Sequence, residues 1–224
     1  MRWKVCGLRR KEDVEAAVEA GADFLGFIFY RQSPRFVELE KWESICQKGY
    51  RDRAVYVSVA PPVEELAEAL RMGFHHFQIH LPESRGAVDY VKAFRGLPGG
   101  GEAGLWIAPK FFPREKLAAS LLNQVDGVLM DGQKEGLYGG TGVSADWSAF
   151  RQARRLHPEH QWILAGGLHP DNALAAWKKT EADILDFNSG VESSPGEKNP
   201  LALRKLSEVM KELKARVQGS HRGD

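Results

Sequence analysis

The six residues Phe24-Leu-Gly-Phe-Ile-Phe29 (FLGFIF) contain no polar side chain. A strand with one face in water alternates apolar and polar residues, because successive side chains point to opposite faces. A strand that is apolar on both faces is typical of a parallel sheet covered on both sides. The stretch therefore predicts a buried strand in a parallel sheet of an α/β protein.

The same kind of segment recurs along the whole chain. Short apolar runs rich in Val, Ile and Phe alternate with amphipathic segments of helical periodicity. The predicted strands span residues 3–6, 24–29, 54–59, 76–80, 105–108, 127–130, 162–165 and 184–187. The predicted helices lie near residues 12–20, 39–48, 62–72, 86–95, 114–123, 144–156, 171–179 and 200–217.

Strict alternation of strands and helices implies parallel strands joined by right-handed crossovers. Eight such units in 224 residues predict a single-domain α/β fold, a (β/α)8 TIM barrel over residues 1–217. A doubly wound open sheet is the alternative. We expect the polar tail, residues 218–224, to be disordered.

Composition and charge disfavour several classes of partner. The formal net charge is +1 with both signs interspersed, so no nucleic-acid partner is predicted. No apolar stretch is long enough to span a bilayer, and the first residues do not resemble a signal peptide. Two cysteines form neither a disulfide framework nor a zinc pattern. We expect a cytoplasmic protein without a metal, a membrane contact or an obligate protein partner.

Residues with chemical capability follow the predicted strands at one end. The active site of a (β/α)8 barrel lies at the carboxyl ends of its strands. The residues expected at this rim are Cys6, Arg35, Gln78, His80, Asp131, Gly139–Gly142, Gly166, Gly167, Asp186, Ser189 and Gly190. Their common location is stronger evidence for a site than any one of them.

Two glycine-containing turns follow the last two predicted strands. They are AGGL, which contains Gly166 and Gly167, and NSGVE, which contains Ser189 and Gly190. Phosphate sites in such barrels are commonly built from these two loops, so a phosphorylated ligand is predicted. Ordinary turns that need positive φ are the alternative. The GGTG turn, residues 139–142, could be a mobile loop or a third phosphate contact.

Cys6 and Asp131 are expected on opposite sides of the rim. A free cysteine taken alone is more often an inert core residue. A carboxylate at a strand end is costly to bury without a partner. Together a thiol and a carboxylate suit acid–base chemistry on two sides of a small substrate. Lys4 needs a partner, either Asp186, Asp131 or a ligand.

Two further side chains, Arg35 and Glu192, lie near the predicted rim. Arg35 follows a proline-stiffened loop and could bind a carboxylate bidentately or be a solvated surface residue. Glu192 is interpreted as a residue of loop structure.

Seven segments of the chain resemble the phosphoribosylanthranilate isomerase family. They are KVCGL (4–8), GADFLGFIFY (21–30), SPRFV (33–37), VDGVLMD (125–131), GGTG followed by DW (139–147), LAGGLHPDN (164–172) and DFNSGVESSPGEKNP (186–200). They occur in the family's order and cover essentially the whole chain.

The resemblance implies a cofactor-free and metal-free Amadori rearrangement of N-(5-phosphoribosyl)anthranilate. It implies that Asp131 is the general acid and Cys6 the general base, with the thiol pKa lowered by neighbours such as Lys4 or by a protonated intermediate. Arg35 and Asp186 would hold the anthranilate carboxylate and amine. Further contacts to the substrate would come from Gln78 and His80, and contacts to its phosphate from Gly166, Gly167, Ser189 and Gly190.

Three positions depart from the family's pattern: Leu81 replaces a glycine, Ala60 an asparagine and Asn188 a serine. Leu81 and Ala60 put the shape of the pocket in doubt, and a non-catalytic phosphosugar-binding barrel is one alternative. Another is a related phosphosugar isomerase, but that class typically uses an aspartate where this chain has Cys6. Indole-glycerol-phosphate synthase is disfavoured because matching lysine and glutamate residues are absent from the predicted strand ends.

Overall fold

The computed structural model describes residues 1–110, 112–113, 115–131 and 146–220. Eight parallel strands close into a barrel in chain order, with β1 paired to both β2 and β8. The strands are β1 Arg2–Cys6, β2 Phe24–Ile28, β3 Ala54–Val59, β4 His76–Leu81, β5 Gly104–Pro109, β6 Gly127–Met130, β7 Gln161–Leu164 and β8 Ile184–Phe187. The predicted barrel and its eight strands are confirmed, with small shifts at the strand ends.

Helices cover the outside of the barrel. They are α1 Lys11–Glu19, α2 Trp42–Ile45, α3 Val63–Arg71, α4 Ala87–Arg95, α5 Ala119–Leu122, α6 Trp147–Leu156, α7 Ala173–Thr180 and α8 Pro200–Ser220. The helix α8 extends beyond the predicted domain end at residue 217, and residues 221–224 of the predicted tail lie outside the described residues. None of the described helices is long and apolar enough to cross a membrane.

Two helices are shorter than the sequence predicts. The segment 39–48 contains a 3₁₀ turn and the four-residue α2, in which only Trp42 is buried. Residues 115–123, the described part of the segment 114–123, contain only α5, which buries Leu121 and Leu122. Helices in proteins are stabilised mainly by packing of an apolar face, and these segments offer little of it.

The stretch FLGFIF shows why both faces of β2 are apolar. Phe24 faces the barrel interior, where its ring meets Trp106 edge to face at 4.9 Å between centroids. Leu25 and Phe27 face the layer between barrel and helices. A Cβ on Gly26 would lie 2.8 Å from Cys6 Sγ and 3.0 Å from Lys4 Nζ. Gly26 is therefore the position of the stretch that makes room for two polar groups of β1.

A small antiparallel hairpin, which the sequence does not predict, follows β8. It consists of β9 Glu192–Ser194 and β10 Glu197–Lys198. The hairpin leads into α8 and brings Glu192 and Lys198 to the carboxyl end of the barrel.

Candidate active site

One pocket opens at the carboxyl ends of the strands. Nine of the ten predicted site residues line it: Cys6, Arg35, Gln78, His80, Asp131, Gly166, Gly167, Asp186 and Ser189. Gly190 does not, and Gly139–Gly142 lie outside the described residues. The strand order explains the grouping, because the carboxyl ends of parallel strands meet at one rim.

Lys4 and Asp186 form a buried ion pair on the neighbouring strands β1 and β8. The distance from Lys4 Nζ to Asp186 Oδ2 is 2.8 Å, and the two side chains are 0% and 6% exposed. Burial opposes the charged form of Lys4, but Asp186 and Cys6 outweigh it and raise the pKa of Lys4. This pairing selects Asp186 from the partners that the sequence left open for Lys4.

The second oxygen of Asp186, Oδ1, is buried and has no hydrogen-bond partner among the described residues. Burial raises the pKa of Asp186, and Lys4 opposes this effect. Because Asp186 lines the pocket, Oδ1 is available to accept a hydrogen bond from a ligand.

Asp186→Asn is expected to lower the free energy of unfolding by roughly 3 to 5 kcal/mol, because it leaves the Lys4 ammonium buried without its counter-charge. Urea unfolding at neutral pH measures the change. The matched control is Asp171→Asn, which breaks an exposed pair with Lys205 and should lower the free energy of unfolding far less, because water screens that pair. Equal losses in the two variants would contradict the prediction.

The Cys6 thiol is buried beside Lys4. Burial raises the pKa of Cys6 and the charge of Asp186 adds to this rise, while Lys4 and Lys198 lower the pKa. Of the two causes that the sequence offered for a lowered thiol pKa, the neighbouring cations act as expected but do not suffice in the free protein, because the desolvation of a thiolate outweighs them. In the free protein the sulfur is therefore held as a thiol.

Gln78 and His80 are paired on β4, with 3.1 Å between Gln78 Nε2 and His80 Nε2. Burial lowers the pKa of His80 to about 4, and Lys4 adds to the effect. The imidazole is therefore neutral at neutral pH. Gln78 Oε1 is buried and has no hydrogen-bond partner within residues 1–110, 112–113, 115–131 and 146–220, so it offers the pocket a second open acceptor.

The turn after β7 is held open by glycine and by Asn172. Gly166 and Gly167 have φ of 88° and 64°, values that an L side chain rarely adopts. Asn172 fixes the turn, since its Nδ2 donates to the Gly167 carbonyl at 2.8 Å and its Oδ1 accepts from His169 N at 2.9 Å. The N–H groups of Gly166 and Gly167 donate to no other described residue, so they remain available to an anion.

Gly190 has a packing role that the sequence did not indicate. A Cβ at this position would lie 2.0 Å from the Leu168 carbonyl oxygen and 2.9 Å from His169 Cβ. Glycine therefore lets the loops after β7 and β8 approach each other.

Gly190→Ala should accordingly destabilise the protein by about 1 to 3 kcal/mol through overpacking. Thermal and urea unfolding would measure the loss. Gly49→Ala is the control, because nothing lies within 4 Å of a Cβ there and the change should stay within about 0.5 kcal/mol. A Gly190 variant as stable as this control would refute the packing role.

Arg35 is not solvated, because its guanidinium pairs with Glu192. Glu192 Oε1 accepts from Arg35 Nε at 2.9 Å and Oε2 accepts from Nη2 at 2.7 Å. Lys198 Nζ donates to Glu192 Oε1 at 2.8 Å. The sequence interpretation of Glu192 as a loop residue missed this network, and a lone lysine in a polar loop gives no signal that it will be buried.

The two positions that put the pocket shape in doubt lie outside its lining. Leu81 is buried in the layer outside the barrel interior. Ala60 has a φ of 36°, a conformation that asparagine adopts more readily than alanine. Neither side chain narrows the pocket that contains Cys6 and Asp131.

A closed (β/α)8 barrel with a thiol, a carboxyl group and a guanidinium at its mouth belongs to the class of barrel enzymes that act on small molecules. Within residues 1–110, 112–113, 115–131 and 146–220, no three His, Cys, Asp or Glu side chains are grouped to hold a metal ion.

Comparison with known proteins narrows this class to one family. Residues 3–209 match the family model of N-(5'-phosphoribosyl)anthranilate isomerase. The isomerase of Rubrobacter xylanophilus is 33% identical over 214 residues, which cover 93% of this chain and 98% of that protein. The chain therefore belongs to the N-(5'-phosphoribosyl)anthranilate isomerase family, and it is an isomerase of tryptophan biosynthesis.

Solved structures agree with this assignment. The phosphoribosylanthranilate isomerase of Thermus thermophilus has a TM-score of 0.74 at 27% identity, covering 95% of this chain and 100% of that chain. A further isomerase is 22% identical with a TM-score of 0.69, in an alignment that covers 94% of this chain and 98% of that chain. It shares the fold. That protein was solved in complex with reduced 1-(o-carboxyphenylamino)-1-deoxyribulose 5-phosphate.

Proposed function

We propose that this chain converts N-(5-phosphoribosyl)anthranilate into 1-(2-carboxyphenylamino)-1-deoxyribulose 5-phosphate, with Asp131 as the general acid and Cys6 as the general base. The observation that carries the assignment is that both residues line one pocket, at the ends of β6 and β1. The same pocket contains the turns suited to a phosphate and the Arg35 guanidinium. A non-catalytic binder would need no acid–base pair.

In this scheme Asp131 donates its proton to the furanose ring oxygen while the bond between C1 and that oxygen breaks. The nitrogen lone pair forms the C1=N bond of an open-chain iminium ion. Cys6 then removes the proton from C2, and the electron pair of that bond moves to give an enolamine. Tautomerisation of the enolamine to the ketone completes the isomerisation without an external oxidant or reductant.

Only the thiolate can accept the C2 proton, so the Cys6 thiol must pass its own proton to solvent water at the open pocket once substrate has bound. Burial favours the neutral thiol in the free protein, and Lys4 favours the thiolate. The iminium ion adds a positive charge next to C2, which makes the C2 proton more acidic and stabilises the thiolate. Base strength thus develops during the reaction, and the resting sulfur is protected from solvent.

The anthranilate part of the substrate would be bound by two pocket residues that have unused capacity. Asp186 Oδ1 can accept from the anthranilate amine. Arg35 Nη1 makes no hydrogen bond to a described residue, so it can donate to the anthranilate carboxylate. Gln78 and His80 would contact the sugar, and backbone N–H groups near Gly166, Gly167, Ser189 and Gly190 would bind the phosphate.

The decisive experiment follows the loss of anthranilate-type fluorescence when purified protein meets enzymatically generated phosphoribosylanthranilate. We expect turnover, and we expect the gene to restore growth of a tryptophan auxotroph that lacks the isomerase. Tight binding of a reduced product analogue without any turnover would reject the catalytic proposal in favour of a binding protein.

We also infer a cytoplasmic location. Both cysteines are free thiols, which suits a reducing compartment. Labelling of fractionated cells with an antibody to the protein would test this location, and enrichment outside the cytoplasmic fraction would reject it.

A further inference from the structure

Glu192 contacts the guanidinium of Arg35 but lies outside the pocket lining. Glu192 is not part of the pocket lining, yet each of its oxygens accepts one hydrogen bond from the guanidinium, at 2.9 and 2.7 Å. Two parallel hydrogen bonds fix the plane of an arginine, whereas a single contact would let it rotate. The third nitrogen, Nη1, is left on the side away from this pair, while Arg35 itself lines the pocket.

Lys198 completes a network from which water is largely excluded. The side chains of Arg35, Glu192 and Lys198 are 7%, 4% and 0% exposed. Lys198 Nζ also donates to Asn188, at 3.1 Å to Oδ1 and 3.3 Å to the carbonyl oxygen. This ties the hairpin β9–β10 to the end of β8.

Stability alone does not account for such a network. Taking three charged groups out of water is costly, and apolar residues of similar volume often give an equal or more stable protein. The property that only the charged network supplies is a fixed guanidinium. Burial alone would raise the pKa of Glu192, but Arg35 and Lys198 outweigh it and lower it, so the carboxylate stays ionised.

The aliphatic part of Arg35 lies against the turn that follows Cys6. A Cβ on Gly7 would be 2.6 Å from Arg35 Cδ and 2.7 Å from Asn188 Oδ1. The arginine is thus held between Gly7 on one side and Glu192 at its end. Its guanidinium has little freedom to search for a ligand, and its position is set before a ligand arrives.

We propose that Glu192 is a positioning residue that presents the guanidinium of Arg35 to the carboxylate of the substrate, with Lys198 holding Glu192 in place. This inference rests on the proposed function, in which Arg35 binds the anthranilate carboxylate. Glu192 itself touches neither substrate nor reacting atoms. Its effect should therefore be confined to ligands that carry the carboxylate.

The test compares two reduced product analogues by calorimetry. One is reduced 1-(2-carboxyphenylamino)-1-deoxyribulose 5-phosphate, and the other is its phenylamino counterpart without the carboxylate. In Glu192→Gln we expect the Kd of the first to rise at least about tenfold, as for the loss of a charge-assisted contact, and the Kd of the second to change much less. KM for phosphoribosylanthranilate should rise more than kcat falls.

Glu197→Gln is the matched control. Glu197 is a carboxylate of the same hairpin, about half exposed and paired with Arg10, and its loss should change neither Kd. Equal weakening of both analogues in Glu192→Gln would overturn the proposal, and so would no change in either.

If Glu192→Gln does not fold, the same two analogues are measured with Glu192→Asp. This variant keeps the charge but shortens the side chain by one methylene group. Failure of both variants to fold would also overturn the inference, since a positioning role leaves the fold intact. A different result would reject the proposed function itself: wild-type protein that binds the analogues but does not turn over phosphoribosylanthranilate.

Discussion

Asp131→Asn is expected to lower kcat at least about 100-fold, the lower end of what a positioned general acid contributes. An amide has nearly the same shape as the carboxyl group but cannot donate a proton to the ring oxygen. The loss should therefore appear in kcat, while the Kd of a reduced product analogue changes little. Steady-state fluorescence kinetics and calorimetry measure the two quantities.

A carboxylate remote from the pocket, Asp89, provides the control for Asp131→Asn. Asp89 lies exposed in the first turn of α4, and Asp89→Asn should keep wild-type kcat. Full activity of Asp131→Asn would remove Asp131 from the role of general acid. A large rise in the Kd of the analogue with unchanged kcat would make it a binding residue instead.

Cys6→Ser should likewise reduce kcat by at least about 100-fold. A hydroxyl fits the space of the thiol, but its far higher pKa prevents it from acting as the base near neutral pH. The loss should be present at every pH between 6 and 9, roughly the range in which the folded enzyme can be assayed. Initial rates at saturating substrate across this range would show it.

The chain contains its own control for this thiol. Cys46, at the end of α2, is also buried and free, and burial raises its pKa to about 11. It lies in the layer outside the barrel interior. Cys46→Ser should lower stability by about 1 to 2 kcal/mol, because it buries a hydroxyl, and should leave kcat unchanged. A similar kcat loss in both serine variants would mean that packing, and not basicity, is what Cys6 contributes.

The barrel could be predicted because its signals are local and repeated. The apolar run at residues 24–29 and its counterparts have lengths and flanks that are typical of buried strands, and their alternation with helices restricts the topology. Strand order then places Cys6, Asp131 and Asp186 at one rim without knowledge of any distance. These predictions needed only the period of the pattern and the direction of the strands.

The charge network around the pocket could not be predicted in the same way. Arg35 lies 157 residues before Glu192, and the two-stranded hairpin that joins Glu192 to Lys198 is too short to give a pattern. The pKa of Cys6 depends on the balance between burial and two lysines, which sequence spacing does not measure. The packing role of Gly190 likewise depends on the neighbouring loop after β7, which contains Leu168 and His169.

Gly26 gives the stretch FLGFIF, residues 24–29, a second structural role. At this position the wall of the barrel lacks one methyl group, and the sulfur of Cys6 and the ammonium of Lys4 occupy the recess. The strand β2, which indicates the fold, thus also provides the space that the sulfur of Cys6 occupies. A single added carbon there would lie 2.8 Å from the thiol sulfur and push it away, so architecture and reactivity cannot be varied independently at residue 26.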